Sequence, residues 1–268
     1  MREARVTMQT FQEIPKIEEY GYRRPYLYKD QQREDRPDCL QGKGAPDRAL
    51  DLGLEETITV RKAVTVEDMV KVFHVRWEGY KKYFKSEEEN MDEHDFSSET
   101  TLLLAEDKHH NPVGTMRILD RRYGSIELDK FVNLNSFLSE GERVCIEATR
   151  FSIPKHPQSK LIKLLLWKSL LLYCQINHID TILMSVRPAA ARSYQCLLFE
   201  NVGPSGAYRH SLLKNLEHQT YKCNISDRKK VIKKVNWPLY HFFFIEDHSN
   251  INTDYFTFYI PETVGNLI

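Results

Sequence analysis

The residues with the clearest chemical potential in this chain are Glu147 and Arg150. They lie in a stretch that runs from Val144 to Pro154 and reads Val-Cys-Ile-Glu-Ala-Thr-Arg-Phe-Ser-Ile-Pro. Its Val, Ile, Thr and Phe residues favour a β-strand, and Pro154 ends the strand because proline cannot donate a ladder hydrogen bond. Charged groups inside an apolar strand must be paired or take part in chemistry. The two alternatives are therefore a buried structural ion pair and a functional site.

The spacing of these two residues predicts a local irregularity in the strand. Side chains along a regular strand alternate between faces, so Glu147 and Arg150 would point in opposite directions. One β-bulge between them brings both to the same face and frees backbone N–H groups for a ligand. A carboxylate in that position can remove a proton from an amine if burial raises its pKa. Cys145 is predicted to be a core thiol, because no clear base adjoins it.

The elements that must position these residues follow from hydrophobic periodicity and turn signals. A Thr65–Asp68 capping box predicts the start of the first helix. Asn111-Pro112 predicts the turn of a hairpin. Pro188 suits the first position of a later helix. In chain order we predict strand 57–64, the capped helix, strands 100–105, 113–119 and 144–154, buried helix 160–177, strand 181–186, helix 189–200 and strand 216–225.

Composition predicts a soluble protein with a real core, and the length suits one large or two small domains. The chain has 268 residues, of which 41% are hydrophobic and 28% are charged, enough for both a core and a solvated surface. Lys+Arg and Asp+Glu both number 38, so net charge does not indicate nucleic acid. The five cysteines lack metal-ligand spacing, which predicts reduced thiols and no metal site. Without a signal-like or membrane-spanning stretch, we expect a cytoplasmic protein with no transmembrane segment.

Three parts of the chain are distinguished by composition. Residues 1–56 have little apolar content and are expected to form a partly irregular N-terminal extension. Residues 57–225 hold the predicted α/β domain. Residues 226–268 are expected to form a C-terminal extension with a basic helix at 227–235 and an aromatic strand at 240–245.

Several short motifs resemble one acyltransferase branch when taken in order. Gly114-Thr-Met-Arg117 and Glu147-Ala-Thr-Arg150-Phe resemble the G-x-x-R and E-x-x-R strands of the autoinducer-synthase-like branch of the GNAT superfamily. That branch contains acyl-homoserine-lactone synthases and long-chain N-acyl amino acid synthases. Its other features are an arginine and an aromatic residue on the first helix and a D-x-x-D loop. The matching residues here are Arg76, Tyr80, Asp92 and Asp95.

The resemblance implies a GNAT-like fold, with a mixed central sheet and flanking helices, and an N-acyltransferase activity from a thioester to an amine. The catalytic residues it implies, read together with the residue chemistry, are Glu147 as base, Arg150, and Tyr194 as proton donor to the leaving thiolate. A core tyrosine is an equal alternative for Tyr194. The remaining charged and aromatic motif residues are expected to shape the acceptor pocket, and they are Arg76, Tyr80, Asp92, Asp95 and Arg117. The resemblance implies no permanently bound cofactor.

The acyl donor is expected to be an acyl-carrier protein rather than acyl-coenzyme A. The glycine-rich pyrophosphate loop of coenzyme-A-using relatives is absent, and Lys155-His-Pro-Gln-Ser-Lys160 occupies its place. Acyl carrier proteins are acidic, so a basic surface would steer their docking. The lysines expected to bind the carrier protein or its phosphopantetheine are Lys155, Lys160, Lys229, Lys230 and Lys233. An ordinary solvated basic helix is the alternative for the last three.

The predicted function is therefore N-acylation of an amino acid or related amine. One alternative is an acyl-homoserine-lactone synthase that uses S-adenosylmethionine. Lactone synthases carry a tryptophan shortly after the helix arginine, and this chain lacks it, with Phe84 as an approximate substitute. A second alternative is a catalytically silent binding module with the same fold. We expect a charge network in which Arg76, Arg117 and Arg150 face Asp92, Asp95 and Glu147. An arginine left over from that network would suit the free carboxylate of an amino acid.

Overall fold

A computed structural model describes residues 58–227 and 239–257. The expected N-terminal extension lies outside the described residues. So does most of the predicted basic helix, with Lys229, Lys230 and Lys233.

The described chain is built on one eight-stranded mixed sheet. The strand order is β1-β2-β3-β4-β5-β8, and the short strands β6 and β7 both pair with β8. All of these pairs are antiparallel except β4 with β5. The strands are β1 (Ile58–Lys62), β2 (Thr101–Asp107), β3 (Pro112–Asp120), β4 (Cys145–Ser152), β5 (Thr181–Val186), β6 (Glu200–Asn201), β7 (Ala207–His210) and β8 (Leu216–Asn224).

Two long helices flank this sheet. Helix α1 (Val66–Tyr80) begins at the predicted Thr65–Asp68 capping box, in which each side chain accepts the other residue's backbone N–H. Helix α2 (Ser159–Ile176) follows β4 and supplies most of the core on its side of the sheet. Two short helices follow, namely α3 (Ala191–Gln195) and α4 (Tyr240–Phe244).

Strands β4 and β5 pair over only part of their length. Their parallel register joins Cys145–Ala148 to residues 181–184, whereas β4 continues to Ser152 and β5 to Val186. The two strands therefore separate beyond Ala148 and Met184. A gap between parallel strands in mid-sheet is a natural ligand site, because main-chain polar groups along both edges lose their strand partner.

Strand β4 contains a bulge, but it lies at Arg150 itself rather than between Glu147 and Arg150 as predicted. Arg117 of β3 pairs with Thr149 and Thr115 pairs with Ser152, so β4 contains one extra residue there. The backbone of Arg150 has a φ of 50°, in the left-handed region that residues other than glycine rarely adopt. The local turn redirects the Arg150 side chain to the face that carries the other charged groups.

The C-terminal segment packs onto this core. Ile251 bridges to Val60 of β1, and the buried Phe256 ring meets Tyr173 of α2 edge-on. Lys168 of α2 donates from Nζ to the Phe243 carbonyl at 2.8 Å. The same ammonium group also donates to the Glu246 carbonyl at 3.1 Å. Since Lys168 is buried, these two carbonyls satisfy a charge that would otherwise be costly there.

The predicted aromatic strand at 240–245 is wrong, because residues Tyr240–Phe244 form α4. Two interactions favour the helix over the strand. The rings of Tyr240 and Phe244 are one helical turn apart, with centroids at 5.4 Å. Lys168 also binds carbonyls at the helix C-terminus, where backbone acceptors lack partners within the helix.

A close approach between α1 and β4 depends on Gly79. The Ser152 hydroxyl donates to the Val75 carbonyl of α1 at 2.9 Å, and a Cβ at position 79 would overlap that hydroxyl. Alanine usually stabilises a helix over glycine by about 1 kcal/mol. We expect Gly79→Ala instead to lower the free energy of unfolding by roughly 1–3 kcal/mol, as overpacking does. Urea denaturation measures this change.

Two further variants test the cause of that loss. Gly124→Ala is the control, because nothing lies within 4 Å of its added Cβ, and a change within about 0.5 kcal/mol is expected. The Gly79→Ala penalty should shrink in a Ser152→Ala background, since the overlapping oxygen is gone. An equal penalty in both backgrounds would show that the helix–strand contact is not responsible.

Candidate functional site

The predicted charge network exists and is buried. Arg76 of α1 contacts Asp95 at 2.7 Å. Arg117 of β3 contacts Asp92 at 2.6 Å and Asp95 at 2.8 Å. Arg150 of β4 contacts Asp92 at 2.8 Å. These contacts join one helix and two strands to a single loop, so the structure brings together five of the predicted site residues.

The D-x-x-D spacing gives that loop its shape. Asp92 caps the 3₁₀ turn Glu93–Phe96 by accepting the His94 amide, and Asp95 accepts the Asp92 amide at 3.1 Å. The two carboxylates therefore fix the turn and bind arginines at the same time. Their pKa values are lowered, because the charges of Arg117 and of Arg76 or Arg150 outweigh the cost of burial.

Glu127 is a member of this network that the sequence did not reveal. It begins the 3₁₀ turn Glu127–Lys130 and contacts Arg150 at 2.9 Å and Arg117 at 3.3 Å. These two arginines hold the pKa of Glu127 below its usual value despite burial. The segment around it has no hydrophobic period or family motif, so only its acidic character could have drawn attention to it.

With Glu127 the buried charges balance. The three arginines Arg76, Arg117 and Arg150 face the three carboxylates of Asp92, Asp95 and Glu127. A buried guanidinium without a counterion costs several kcal/mol, so equal numbers of opposite charges are needed.

Glu147 lies apart from Arg150, and no contact joins them. Its side chain is on the face of β4 that carries Cys145, is 1% exposed, and accepts the Leu128 amide at 2.9 Å. Oε1 is buried with no hydrogen-bond partner among the described residues. Burial and the nearby charge of Glu127 raise the pKa of Glu147 well above its usual value. The role of Glu147 as a base stays a prediction.

Cys145 is a core residue, as the sequence predicts. It is fully buried in a small apolar cluster with Leu119 and Leu183. Burial raises the pKa of its thiol to about 12, so the thiolate is not accessible at neutral pH.

A cavity of about 330 Å³ lies where β4 and β5 separate. Its walls are residues 149–153 of the β4 segment and Ser185–Arg187 after the paired part of β5. The end of α1 closes one side, and β7 and β8 contribute two histidines. The remaining wall residues with polar or aromatic groups are Tyr80, Lys82, Tyr83, Glu127, Tyr194, His210 and His218.

Arg150 offers this cavity an unused donor. Both of its carboxylate contacts are made by Nη2, whereas Nε is buried and has no hydrogen-bond partner among the described residues. The residue is 6% exposed and lines the cavity. The network thus leaves one guanidinium edge free for an anionic ligand.

Two predicted tyrosines also line the cavity. Tyr80 donates to the Phe151 carbonyl at 3.3 Å, next to the bulge. Tyr194 packs edge-on against Trp167 and Phe199. Burial raises the pKa of both phenols, so each keeps its proton at neutral pH. A retained proton is what a donor to a leaving thiolate requires.

The loop that replaces the glycine-rich sequence satisfies its own amides. The His156 amide donates to the Ser159 hydroxyl at 3.2 Å, and the Gln158 amide donates to the His156 ring at 3.1 Å. Lys155 and Lys160 are exposed on either side of this loop. Fewer backbone N–H groups are therefore free to bind a pyrophosphate than in an uncapped loop.

His210 and His218 face the cavity from β7 and β8, and the sequence did not identify either one. Their rings are 5.1 Å apart, and His210 also packs on Phe131 at 4.6 Å. The two residues are eight positions apart in a segment without a family motif. They become neighbours only through the antiparallel register that pairs Tyr208 with His218.

Two broader features of the described residues bear on function. They contain no group of three or more His, Cys, Asp or Glu side chains that could hold a metal ion. Within the same ranges, no helix combines the length and apolar character needed to cross a membrane.

The family model and one of the solved structures that match this chain both represent the N-acyl amino acid synthase FeeM. The model of the N-acyl amino acid synthase FeeM matches residues 74–214, more than half of the chain. The structure of FeeM, from uncultured soil microbes, aligns with a TM-score of 0.52 and 18% identity. This alignment covers 65% of the present chain and 93% of FeeM. The likeness confirms the predicted GNAT-like fold.

Two further solved structures align with lower TM-scores. An acyl-CoA N-acyltransferase from Pseudomonas aeruginosa has a TM-score of 0.46 and 14% identity, over 62% of this chain and 97% of that one. The CoA-dependent acyl-homoserine lactone synthase BjaI has a TM-score of 0.47 and 13% identity, over 68% of this chain and 90% of that one. No curated protein sequence matches the chain.

The raised pKa of Glu147 predicts a pH-dependent stability difference. In the unfolded chain a glutamate ionises near pH 4.3. Because folding raises the pKa of Glu147 above this value, raising the pH favours unfolding until the folded pKa is reached. Glu147→Gln removes that effect and keeps an acceptor for Leu128. We expect its unfolding free energy relative to wild type to rise between pH 4 and pH 7, by more than about 0.5 kcal/mol.

Urea denaturation at several pH values measures this difference. Glu217→Gln, at an exposed position of β8, is the control and should show no such trend. A difference between Glu147→Gln and wild type that is constant from pH 4 to pH 7 would mean that Glu147 ionises normally.

Proposed function

Because the chain belongs to the FeeM family of N-acyl amino acid synthases and is an N-acyltransferase, we propose that it moves a fatty acyl group from an acyl-carrier protein to the α-amine of a free amino acid. The observation that carries the acceptor class is the unpartnered Nε–H of Arg150, which is buried and lines the cavity. The family membership supports the reaction type, and the proposal extends it to both substrates.

Charge balance favours a zwitterion as acceptor. The buried network already holds three positive and three negative groups, so a ligand with net charge would upset it. An amino acid has a carboxylate for the Arg150 edge and an ammonium group that suits Glu127, which lines the same cavity. Its net charge is zero. An amino-acid ester lacks the anion and would bring an uncompensated positive charge.

The gap between β4 and β5 suits the donor. A phosphopantetheine arm is an extended chain with two amides, and it can take the place of a strand in the gap by main-chain hydrogen bonding. This places the thioester near the bulge at Arg150. Backbone N–H groups there can stabilise the oxyanion that forms when the amine attacks the carbonyl.

The leaving thiolate needs a proton, and we assign this role to Tyr194. Its phenol is protonated at neutral pH and it lines the cavity from α3. Its ring also packs on Trp167, which orients it. Tyr80, whose hydroxyl is bound to the Phe151 carbonyl, is assigned to the wall of the acceptor pocket.

The lysine-flanked loop before α2 supports a carrier protein over coenzyme A. Its His156 and Gln158 amides are occupied within the loop, which weakens a pyrophosphate site. The exposed Lys155 and Lys160 can still attract an acidic protein surface. Further positive charge lies near the cavity. Lys82 and Arg187 line it, and Arg187 donates to the Tyr83 hydroxyl. Lys214 is held close by, because its ammonium donates to the Lys82 carbonyl.

The acceptor proposal predicts strong discrimination against esters. Wild type should acylate free amino acids with a kcat/KM roughly ten- to a hundredfold above that of the matching methyl esters, as expected for a lost hydrogen bond to a charged group. Arg150→Lys keeps the positive charge but loses the Nε–H, and it should narrow this ratio. Mass spectrometry of the products, with one acyl-carrier protein as donor, gives both ratios. Equal use of esters by wild type would contradict a carboxylate site.

The donor proposal predicts a preference between two thioesters of the same chain length. Acyl-carrier protein should exceed acyl-coenzyme A in kcat/KM by at least about tenfold, which corresponds to ~1.4 kcal/mol. Thiol release monitored with each donor measures the ratio. Equal or better use of the coenzyme A thioester would overturn the carrier-protein assignment.

Charge reversal locates the docking surface. Lys155→Glu with Lys160→Glu should raise the carrier-protein KM at low salt and leave kcat close to wild type, because surface charges act mainly on association. The triple reversal of Lys229, Lys230 and Lys233 tests the predicted basic helix in the same way. Lys108→Glu, in the exposed turn between β2 and β3, is the control. An unchanged KM in both multiple variants would place the docking surface elsewhere.

A further inference from the structure

The two histidines beside the cavity have no role in the reaction described so far. His210 ends β7 and is 5% exposed, so it is more than nine-tenths buried. Its Nδ1 is buried and has no hydrogen-bond partner among the described residues. Buried polar atoms are nearly always paired, and an exception that lines a cavity indicates a partner supplied by a ligand.

The surroundings of His210 place it on the acceptor side of the cavity. The charged groups that act on its ring are Glu127 of the 3₁₀ turn and Arg150 of β4, with His218 from β8. Tyr208, on its own strand, has its ring 6.1 Å from that of His210, and its hydroxyl is bound to Ser185. Phe131 covers one face of the ring at 4.6 Å. The imidazole therefore lies near the two groups proposed to hold the amino acid.

We propose that His210 is the general base of the acyl transfer and accepts the proton that the acceptor amine loses. This inference rests on the proposed amino-acid acceptor, because Arg150 and Glu127 would hold its carboxylate and ammonium beside the ring. It assigns the proton transfer to a group that lines the cavity, whereas Glu147 is not among the lining residues.

The step balances as follows. The bound ammonium gives one proton to His210 and becomes a neutral amine. The amine attacks the thioester carbon, a C–N bond forms, and the carbonyl π electrons move to oxygen. The oxyanion then reforms the carbonyl, the C–S bond breaks, and the thiolate takes a proton from Tyr194. The tyrosinate takes the remaining extra proton from the nitrogen, and His210 releases its proton to solvent, which leaves one amide and one thiol.

The protonation state of His210 suits this task. Burial lowers the pKa of its imidazole to about 4, so the ring is neutral and can accept a proton at neutral pH. The imidazolium that forms during turnover is favoured by the carboxylate of Glu127, and Arg150 and His218 oppose it. His218 differs because its Nδ1 lies 2.9 Å from the Leu216 carbonyl, which fixes its orientation. We therefore assign His218 to the cavity wall.

The test uses the full chain, dodecanoyl-carrier protein as donor and an equimolar mixture of the proteinogenic amino acids as acceptor. His210→Gln should lower kcat/KM at pH 7 by about 10²-fold or more, a typical general-base contribution. The deficit should shrink as the pH rises from 7 to 9, because more of the acceptor then arrives as the neutral amine. His109→Gln, in the exposed β2–β3 turn, is the control and should match wild type.

Chemical rescue separates a catalytic role from a structural one. In His210→Ala, added imidazole can enter the vacated part of the cavity and should restore part of the rate, which the Gln variant would not show. Circular dichroism checks that both variants fold. If His210→Ala does not fold, the pH dependence of His210→Gln tests the assignment. If His210→Gln does not fold, imidazole rescue of His210→Ala tests it.

The possible outcomes are distinct. If the wild-type protein forms no amide product, the proposed function itself is contradicted before any variant is compared. Product formation by wild type with an equal rate for His210→Gln overturns the assignment of His210. Loss of the rate in Glu147→Gln or His218→Gln, but not in His210→Gln, does the same and identifies the alternative base.

Discussion

The burial of three guanidinium groups within one sheet is the constraint on which the rest of this structure depends. Arg76, Arg117 and Arg150 come from α1, β3 and β4, and each is almost wholly removed from solvent. Desolvating a charge costs several kcal/mol unless a counterion compensates it. The compensation comes from Asp92, Asp95 and Glu127, which lie on irregular segments. The network therefore helps to fix two irregular segments, the turn that carries Asp92 and Asp95 and the turn that begins at Glu127.

The same constraint shapes the cavity. The left-handed backbone of Arg150 is unfavourable for a side chain with a Cβ, and its two carboxylate contacts stabilise it. The bulge turns the arginine toward the network, and β4 and β5 separate on the adjoining segment. Fold stability and the proposed substrate binding thus use one set of interactions. Changing a network residue should therefore affect both.

Much of this architecture follows from sequence periodicity. Strand β5 lies at the predicted residues, and helix α2 differs by one residue at each end, because both are buried and bounded by clear turn signals. The spacing of Glu147 and Arg150 predicted a bulge in β4, although the structure has it at Arg150 rather than before it. By contrast, helix α3 covers only Ala191–Gln195 of the predicted 189–200, and Leu198 beyond it has a left-handed φ of 63°.

The parts of the site that could not be predicted depend on long-range pairing. Glu127 lies on a 3₁₀ turn with no hydrophobic period, so its approach to Arg150 is visible only in three dimensions. His210 and His218 meet because β7 and β8 pair antiparallel, a register that no local signal encodes. The fate of Glu147 was also hidden. The spacing placed it in the strand, but burial and the nearby charge of Glu127 raise its pKa well above the usual value, against the opposing effect of the Leu128 amide.

The most direct test of the central claim is the identity of the product. The full chain would be expressed in a bacterium, and lipid extracts would be compared by mass spectrometry with those of cells that carry the empty vector. We expect N-acyl amino acids with a free carboxylate to accumulate only in cells that make the protein. Accumulation of acyl-homoserine lactones instead, or of no acylated amine at all in cells that contain folded protein, would contradict the account.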